Sequence, residues 1–126
     1  MAGAIFPWRE GNSFELLIDG PQFFPRMLVA IARAEEQVEL ELYLVEAGAC
    51  AEAMVQALVS AAERGVRVRC LFDDYGSLAF TLTLRQRLMA AGVELRFYNR
   101  LNWRRWLGNF YRDHRKLLLV DQNLAV

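Results

Sequence analysis

The sequence contains few of the residues that build metal sites and disulfide frameworks. It has one histidine and two cysteines in 126 residues, which excludes a disulfide-stapled domain and a zinc site of the cysteine type. The two cysteines do not have the spacing of metal ligands. The two cysteines, Cys50 and Cys70, lie in apolar surroundings and are predicted to be buried free thiols. The formal net charge is zero, so the chain has no general electrostatic bias towards nucleic acid.

Long apolar runs and glycine-rich loops are also missing. Hydrophobic residues make up 55% of the chain, yet no apolar run reaches the ~18 residues that suggest a membrane span. The segment from Met1 to Pro7 lacks the basic start and long apolar centre of a secretory leader. Gly65, Gly76 and Gly92 each end a predicted element, so none of them belongs to a phosphate-binding loop.

What the chain does contain is an alternation of strand and helix patterns. Strands are predicted at 14–18, 38–45, 66–72, 93–98 and 116–120, with the start of a sixth at 123–125; helices are predicted at 21–36, 51–63 and 79–91. This order favours an α/β fold with a mostly parallel sheet flanked by helices. Residues 1–12 are predicted to form an amino-terminal arm, and 13–126 a single domain.

The only histidine lies at the entrance of the last full strand. Alternation along that strand places His114 and Lys116 on one face and Asp121 on the other. An imidazole can act as a nucleophile or a proton carrier, and an ammonium is a point charge suited to a phosphate oxygen. The pair suits phosphoryl or phosphatidyl chemistry, although on spacing alone a histidine with a nearby lysine is more often a surface pair at the start of a strand. Asp121 alone is typical of a turn residue.

The spacing His114-x-Lys116-x-x-x-x-Asp121 resembles the HKD motif of the phospholipase D superfamily. The run from Arg112 to Asp121 is similar to the first HKD motif of bacterial cardiolipin synthases. The order of the upstream segments also resembles the first half of that family: Glu15–Gly20, Glu39–Tyr43, Arg64–Arg69 and Asp73–Ser77. The resemblance covers nearly the whole chain from Ser13 onwards and implies a phospholipase D-like half-domain.

The resemblance implies a phosphatidyltransferase that acts through a pair of facing HKD motifs, and it implies no metal or organic cofactor. One histidine forms a phosphohistidine and the other protonates the leaving oxygen; His114 would be one of the two. Lys116 would offset charge on the phosphoryl oxygens, and Asp121 would orient the strand and its turn. The partners implied are a phosphatidylglycerol-like phospholipid, a membrane surface at its cytoplasmic face, and a second HKD half from a longer chain or a homodimer. The chain is accordingly expected to be the amino-terminal part of a tandem protein.

Further candidates lie at the ends of two other strands. Glu39, Glu41 and Tyr43 share one face of their predicted strand, which is either a solvated face or, for Glu41 and Tyr43, a substrate-facing edge. Ser77 is a third candidate for substrate binding, because the family resemblance places its loop near the pocket. The neighbouring carboxylates Asp73 and Asp74 are predicted to cap the turn rather than to bind a metal.

Residues 100–112 combine arginines and aromatic residues without any acidic residue. Trp103, Arg104, Arg105 and Trp106 fit the headgroup level of a membrane. The same chemistry would suit single-stranded nucleic acid, and a solvated loop is a third possibility. Two other functions stay open at this point: an HKD phosphodiesterase or nuclease, and a non-catalytic half-domain.

Overall fold

Five strands and three α-helices make up the regular structure of this computed structural model, which describes residues 7–102, 104 and 107–126. The helices are α1 (Gly20–Arg33), α2 (Ala49–Glu63) and α3 (Leu82–Ala90); a 3₁₀ turn spans Leu107–Phe110. The strands are β1 (Gln37–Leu42), β2 (Arg67–Asp73), β3 (Glu94–Tyr98), β4 (Lys116–Val120) and β5 (Leu124–Ala125). The predicted α/β class is confirmed.

The sheet has the order β3-β2-β1-β4-β5 and is mixed. β1 pairs in parallel with β2, and β2 with β3, whereas β4 runs antiparallel to both β1 and β5. Alternate strand residues, among them Val38, Leu40 and Leu118, are fully buried in a core shared with the helices. Because β4 is antiparallel to β1, its first residue lies beside the last residue of β1, with Lys116 opposite Leu42.

Two predictions about the chain before the motif are wrong. Residues 14–18 have the period of a strand, yet they pair with none of the five strands that the structure describes, and Phe14 is 96% exposed. Cys50 is exposed because it lies in the first turn of α2, whereas Cys70 is buried as predicted. Burial raises the pKa of the Cys70 thiol to about 12, so this thiol is unreactive at neutral pH.

Element boundaries shift for local reasons. α3 begins three residues later than the pattern predicts, because the Thr81 side chain accepts a hydrogen bond from the Leu84 N–H and caps the helix. The strand predicted at 38–45 ends at Leu42. The β4–β5 hairpin is present, and its turn residues Asp121 and Gln122 both have positive φ, at 50° and 59°. Among the described residues, no helix is long and apolar enough to cross a membrane.

Candidate active site

The motif histidine lies at the sheet edge where β1 and β2 end and β4 begins. Because β1 and β2 are parallel and β4 runs the other way, this edge collects the carboxyl ends of two strands and the residues just before β4. Three segments therefore meet there: the exit of β1 with Tyr43, the loop after β2 that starts at Asp73, and residues 111–115. Open α/β sheets commonly bind ligands at such an edge.

His114 is held by a stacking contact rather than by the strand. Its imidazole stacks on the Tyr43 ring with centroids 4.0 Å apart and planes 20° apart. β4 begins only at Lys116, so the strand alternation that the sequence suggested does not reach His114. Tyr43, a candidate for substrate binding in the sequence, thus contacts the candidate catalytic residue directly.

Lys116 is the only lysine of the chain. It is exposed at the first position of β4, and its Nζ donates to the backbone carbonyl oxygen of His114 at 3.3 Å. The carbonyl keeps the ammonium near the histidine-bearing segment. A flexible, compact charge in this place can follow a phosphoryl oxygen.

Glu41, Asp113 and Arg115 form a charged cluster beside the histidine. Arg115 contacts Glu41 at 3.4 Å and Asp113 at 3.9 Å. The side-chain hydrogen bond to Asp113 raises the pKa of the Glu41 carboxyl, with burial and the Asp113 charge acting in the same direction. That hydrogen bond lowers the pKa of Asp113. The two carboxyls therefore titrate as a pair, and the hydrogen bond between them shifts their pKa values in opposite directions.

Asp73 is the most deeply buried acidic group near the site. Its side chain is 0% exposed, and its Oδ1 accepts hydrogen bonds from the Gly76 N–H at 3.0 Å and from Arg112 Nη1 at 3.4 Å. Its Oδ2 accepts one from the Asp113 N–H at 3.0 Å. The prediction that this carboxylate caps the turn is confirmed by the bond to Gly76.

Ser77 is completely buried within the same loop. Its hydroxyl donates to the carbonyl oxygen of Asp73 at 2.7 Å, and its own carbonyl oxygen accepts from Arg85. The structure thus gives this hydroxyl a partner inside the loop, and contact with substrate stays a prediction.

Asp121 lies at the opposite end of β4 from His114. At about 3.3 Å per residue, the four steps from Lys116 to Val120 place the two ends of β4 roughly 13 Å apart. The Asp121 carboxylate accepts hydrogen bonds from the backbone N–H groups of Glu35, Glu36 and Gln37, at 2.8–2.9 Å. These bonds lower its pKa, the Gln37 bond most strongly. They tie the hairpin turn to the connection between α1 and β1.

The predicted membrane-contact cluster is described only in part. Trp103, Arg105 and Trp106 lie outside the described residues, while Arg104 is exposed and its backbone N–H donates to Asn102 Oδ1. The residues that follow expose large apolar side chains: Leu107 is 72% exposed, Phe110 77% and Tyr111 73%. An exposed apolar patch therefore directly precedes the histidine segment.

Two acidic residues organise this edge beyond what the sequence predicts: for Asp73 it predicts only a capping role, and for Asp113 it predicts none. Both are acidic and border turns or loops, where capping is the usual role. The available signal was position, because Asp73 ends a buried strand and Asp113 directly precedes the only histidine. Among the described residues, no group of three or more histidine, cysteine or acidic side chains is arranged to hold a metal ion.

The chain matches a family model described as "Cardiolipin synthase, PLD-like domain" over residues 27–126. It therefore belongs to this family of phospholipase D-like domains. The fold agrees: a phospholipase D family member, Nuc from Salmonella typhimurium, superposes with a TM-score of 0.58 at 24% identity, over 79% of this chain and 58% of that one. At this identity the likeness concerns the fold alone.

Among curated proteins, the chain is similar to bacterial cardiolipin synthases. The chain is 37% identical to cardiolipin synthase B of Escherichia coli K12 over 121 residues, which is 94% of this chain and 29% of that protein. It is 33% identical to the major cardiolipin synthase of Bacillus subtilis, covering 89% of this chain and 23% of the relative. The chain thus spans less than a third of the length of these cardiolipin synthases.

Proposed function

We propose that this domain contributes one histidine of a paired active site to a phosphatidyltransferase of the cardiolipin synthase type. The observation that carries the proposal is the edge occupied by His114 and Lys116, in a chain that is 37% identical to a cardiolipin synthase. An exposed lysine beside a stacked imidazole offers a phosphodiester both a positive charge and a nucleophile or acid.

The proposed reaction has two displacements at phosphorus. In the first, a histidine nitrogen attacks the phosphodiester of a phosphatidylglycerol-like lipid, and the partner histidine gives a proton to the departing alcohol. In the second, the hydroxyl of another lipid, or water, attacks the phosphohistidine while the partner histidine takes up the proton of that hydroxyl. The phosphorus–nitrogen bond breaks, and its electron pair returns to the histidine nitrogen. Lys116 stabilises the negative charge that accumulates on the phosphoryl oxygens in both steps. His114 is one of the two histidines, and a second HKD half supplies the other.

The proposed setting is the surface of a membrane, at its cytoplasmic face, with the domain bound peripherally. Leu107, Phe110 and Tyr111 support this proposal, because their exposed apolar surface lies beside arginines and next to the histidine segment. Apolar side chains at headgroup depth and cations on lipid phosphates are the usual means of interfacial binding.

A chimera with a known relative tests the proposed function. This chain replaces the aligned 121 residues of E. coli cardiolipin synthase B, and cardiolipin formation from phosphatidylglycerol vesicles is measured. We expect product from the chimera and none from its His114→Ala variant. A chimera that melts cooperatively, makes no cardiolipin and cleaves single-stranded DNA would favour the nuclease function instead.

The isolated chain is expected to show no turnover on phosphatidylglycerol, because one motif supplies one of the two histidines. A dimer that pairs two copies of His114 is the one route to activity. Sedimentation at the assay concentration distinguishes the cases: turnover by a strictly monomeric species would contradict the two-histidine mechanism.

A further inference from the structure

A single buried carboxylate, that of Asp73, connects the two partners of the His114–Tyr43 stack. Oδ2 accepts from the N–H of Asp113, the residue directly before His114. Oδ1 accepts from the N–H of Gly76, and Gly76 lies so close to Tyr43 that a Cβ built on it would collide with the Tyr43 carbonyl group. One oxygen thus holds the histidine side and the other holds the tyrosine side.

Other bonds at this edge reinforce the same connection. Arg112 is 10% exposed and reaches Asp73 Oδ1, while also donating to the carbonyl oxygens of Asn99 and Asn109. The Gly76 carbonyl oxygen accepts from the Val45 N–H at 3.0 Å, which fixes the chain two residues beyond Tyr43. Within the described residues, the His114 N–H donates no hydrogen bond, so its segment depends on these neighbouring contacts.

We propose that Asp73 is the positioning residue of the active site: it sets the register between the Tyr43 ring and the His114 imidazole. This inference rests on the proposed function for its catalytic meaning. The geometric argument does not depend on that function. The Asp73 carboxylate connects the loop after β2 to the segment before β4, and β2 and β4 are not paired with each other in the sheet. A buried charge is costly unless its acceptor capacity is used, and here both oxygens have partners.

An amide in place of the carboxylate breaks this arrangement. Asparagine offers one acceptor oxygen and one donor nitrogen, so Asp73→Asn satisfies either the Gly76 N–H or the Asp113 N–H and points a donor at the other. One side of the stack is then released. Asp74→Asn is the matched control, because Asp74 is the next residue of the same loop and its carboxylate accepts from the Leu101 N–H instead.

The single histidine makes the readout direct. The chain gives one set of imidazole NMR signals, and the stacked Tyr43 ring shields those protons. We expect Asp73→Asn to lose this shielding and to move the signals towards their position in Tyr43→Leu, while Asp74→Asn leaves them at the parent position. A folded Asp73→Asn protein with parent signals would overturn the proposal.

A second measurement uses the parent chain alone, so it does not depend on whether Asp73→Asn folds. In the parent chain the Asp113 amide hydrogen should exchange more slowly than that of His114, since only the former bonds to a buried carboxylate. Equal exchange of the two amides would overturn the proposal even if Asp73→Asn fails to fold. Neither readout involves turnover. An inactive chimera therefore counts against the proposed function, whereas unchanged NMR signals or equal amide exchange count against the role of Asp73.

Discussion

The two ends of β4 are fixed in different ways. At the far end, which leads into the turn before β5, the Asp121 carboxylate accepts hydrogen bonds from three consecutive backbone N–H groups. At the near end, where β4 begins beside the candidate active site, His114 lies outside the strand and stacks on an aromatic ring. Its neighbours in the chain are held by ion pairs and by a hydrogen bond to Asp73. The motif thus spans a backbone-anchored end and a side-chain-anchored end.

The contacts at the far end stabilise the fold, whereas those at the near end orient the candidate reactive groups. Backbone N–H groups need acceptors in any folded state, so the Asp121 contacts serve the fold whatever the protein does. Exposed His114 and Lys116 contribute little burial, and the contacts around them orient groups that remain accessible. Substitutions at the two ends should therefore change different measured quantities.

The largest effect is expected at the near end, on activity. In the chimera, His114→Ala should lower cardiolipin formation by at least about 10²–10⁴-fold, the range for losing a general acid or base. Lys116→Ala should cost about 10²–10³-fold, as does the loss of one charge-stabilising donor. Both melting temperatures should stay near the parent value, because both side chains are exposed.

Arg96→Ala is the control, since it removes another exposed cation, from β3. Its activity should equal that of the parent. If Arg96→Ala and Lys116→Ala lose activity equally, the effect of Lys116 is one of general surface charge.

The next effect is expected at the far end, on stability. Asp121→Ala should lower the melting temperature, because three N–H groups lose their acceptor. Asp19→Ala is a matched control: Asp19 also has a positive φ, 62°, so alanine meets a similar backbone cost, but its side chain makes no capping bond. Below the melting transition the Asp121→Ala chimera should keep activity. Parent-like melting with complete inactivity would show that Asp121 takes part in the reaction.

Much of the fold could be predicted from the sequence because the core elements have clean periods. β4 matches its predicted bounds of 116–120. A basic residue precedes the apolar run and turn residues follow it, so both ends of the strand are marked in the sequence. Residues 14–18 have an equally regular pattern and form no strand. Local period reports which face is apolar, whereas strand formation needs a partner that the local sequence does not specify.

The candidate site could be predicted only in part, for a similar reason. The motif spacing identifies His114, Lys116 and Asp121, yet the contacts that orient His114 come from residues about 40 and 70 positions earlier, Asp73 and Tyr43. The motif spacing does not predict these contacts. They depend on the antiparallel pairing of β4 with β1 and on the parallel pairing of β1 with β2. The strand alternation also misleads at His114, where no strand exists.

A smaller effect is expected where the near end continues into the exposed apolar patch. Changing Leu107 and Phe110 to serine should weaken binding to anionic vesicles by at least roughly tenfold, since tenfold is about the effect of withdrawing a single large apolar side chain from the interface. Changing Trp103 and Trp106 to alanine should act in the same direction. Leu82→Ser, at an equally exposed site on α3, should bind as the parent does. Equal vesicle binding by all variants would remove the membrane from the proposed function.

The smallest effect is expected in the pH dependence of stability, because the pKa values of the carboxyl groups at the two ends of β4 are shifted in opposite directions. Asp121 has a lowered pKa, so its contribution to stability is present above its ordinary pKa of about 3.8 and is lost as the pH falls through its folded pKa. Glu41 has a raised pKa. The native state therefore holds this proton more tightly than the unfolded chain does, and stability falls as the pH rises from about 4.5 through the raised value.

Glu41→Gln mimics the protonated acid and should separate these signs. Urea unfolding should give equal stability for parent and Glu41→Gln below about pH 4, and a slightly more stable variant at pH 7, where the Asp113 charge opposes an ionised Glu41. Asp121→Asn should show the reverse: a deficit at pH 7 that shrinks as the solution is acidified. The Arg115 charge works against the Glu41 effect, so the gain should be small. A Glu41→Gln variant less stable than the parent at pH 7 would mean that the Arg115 ion pair outweighs the Asp113 repulsion, and the near end would then be stabilised by an ionised Glu41.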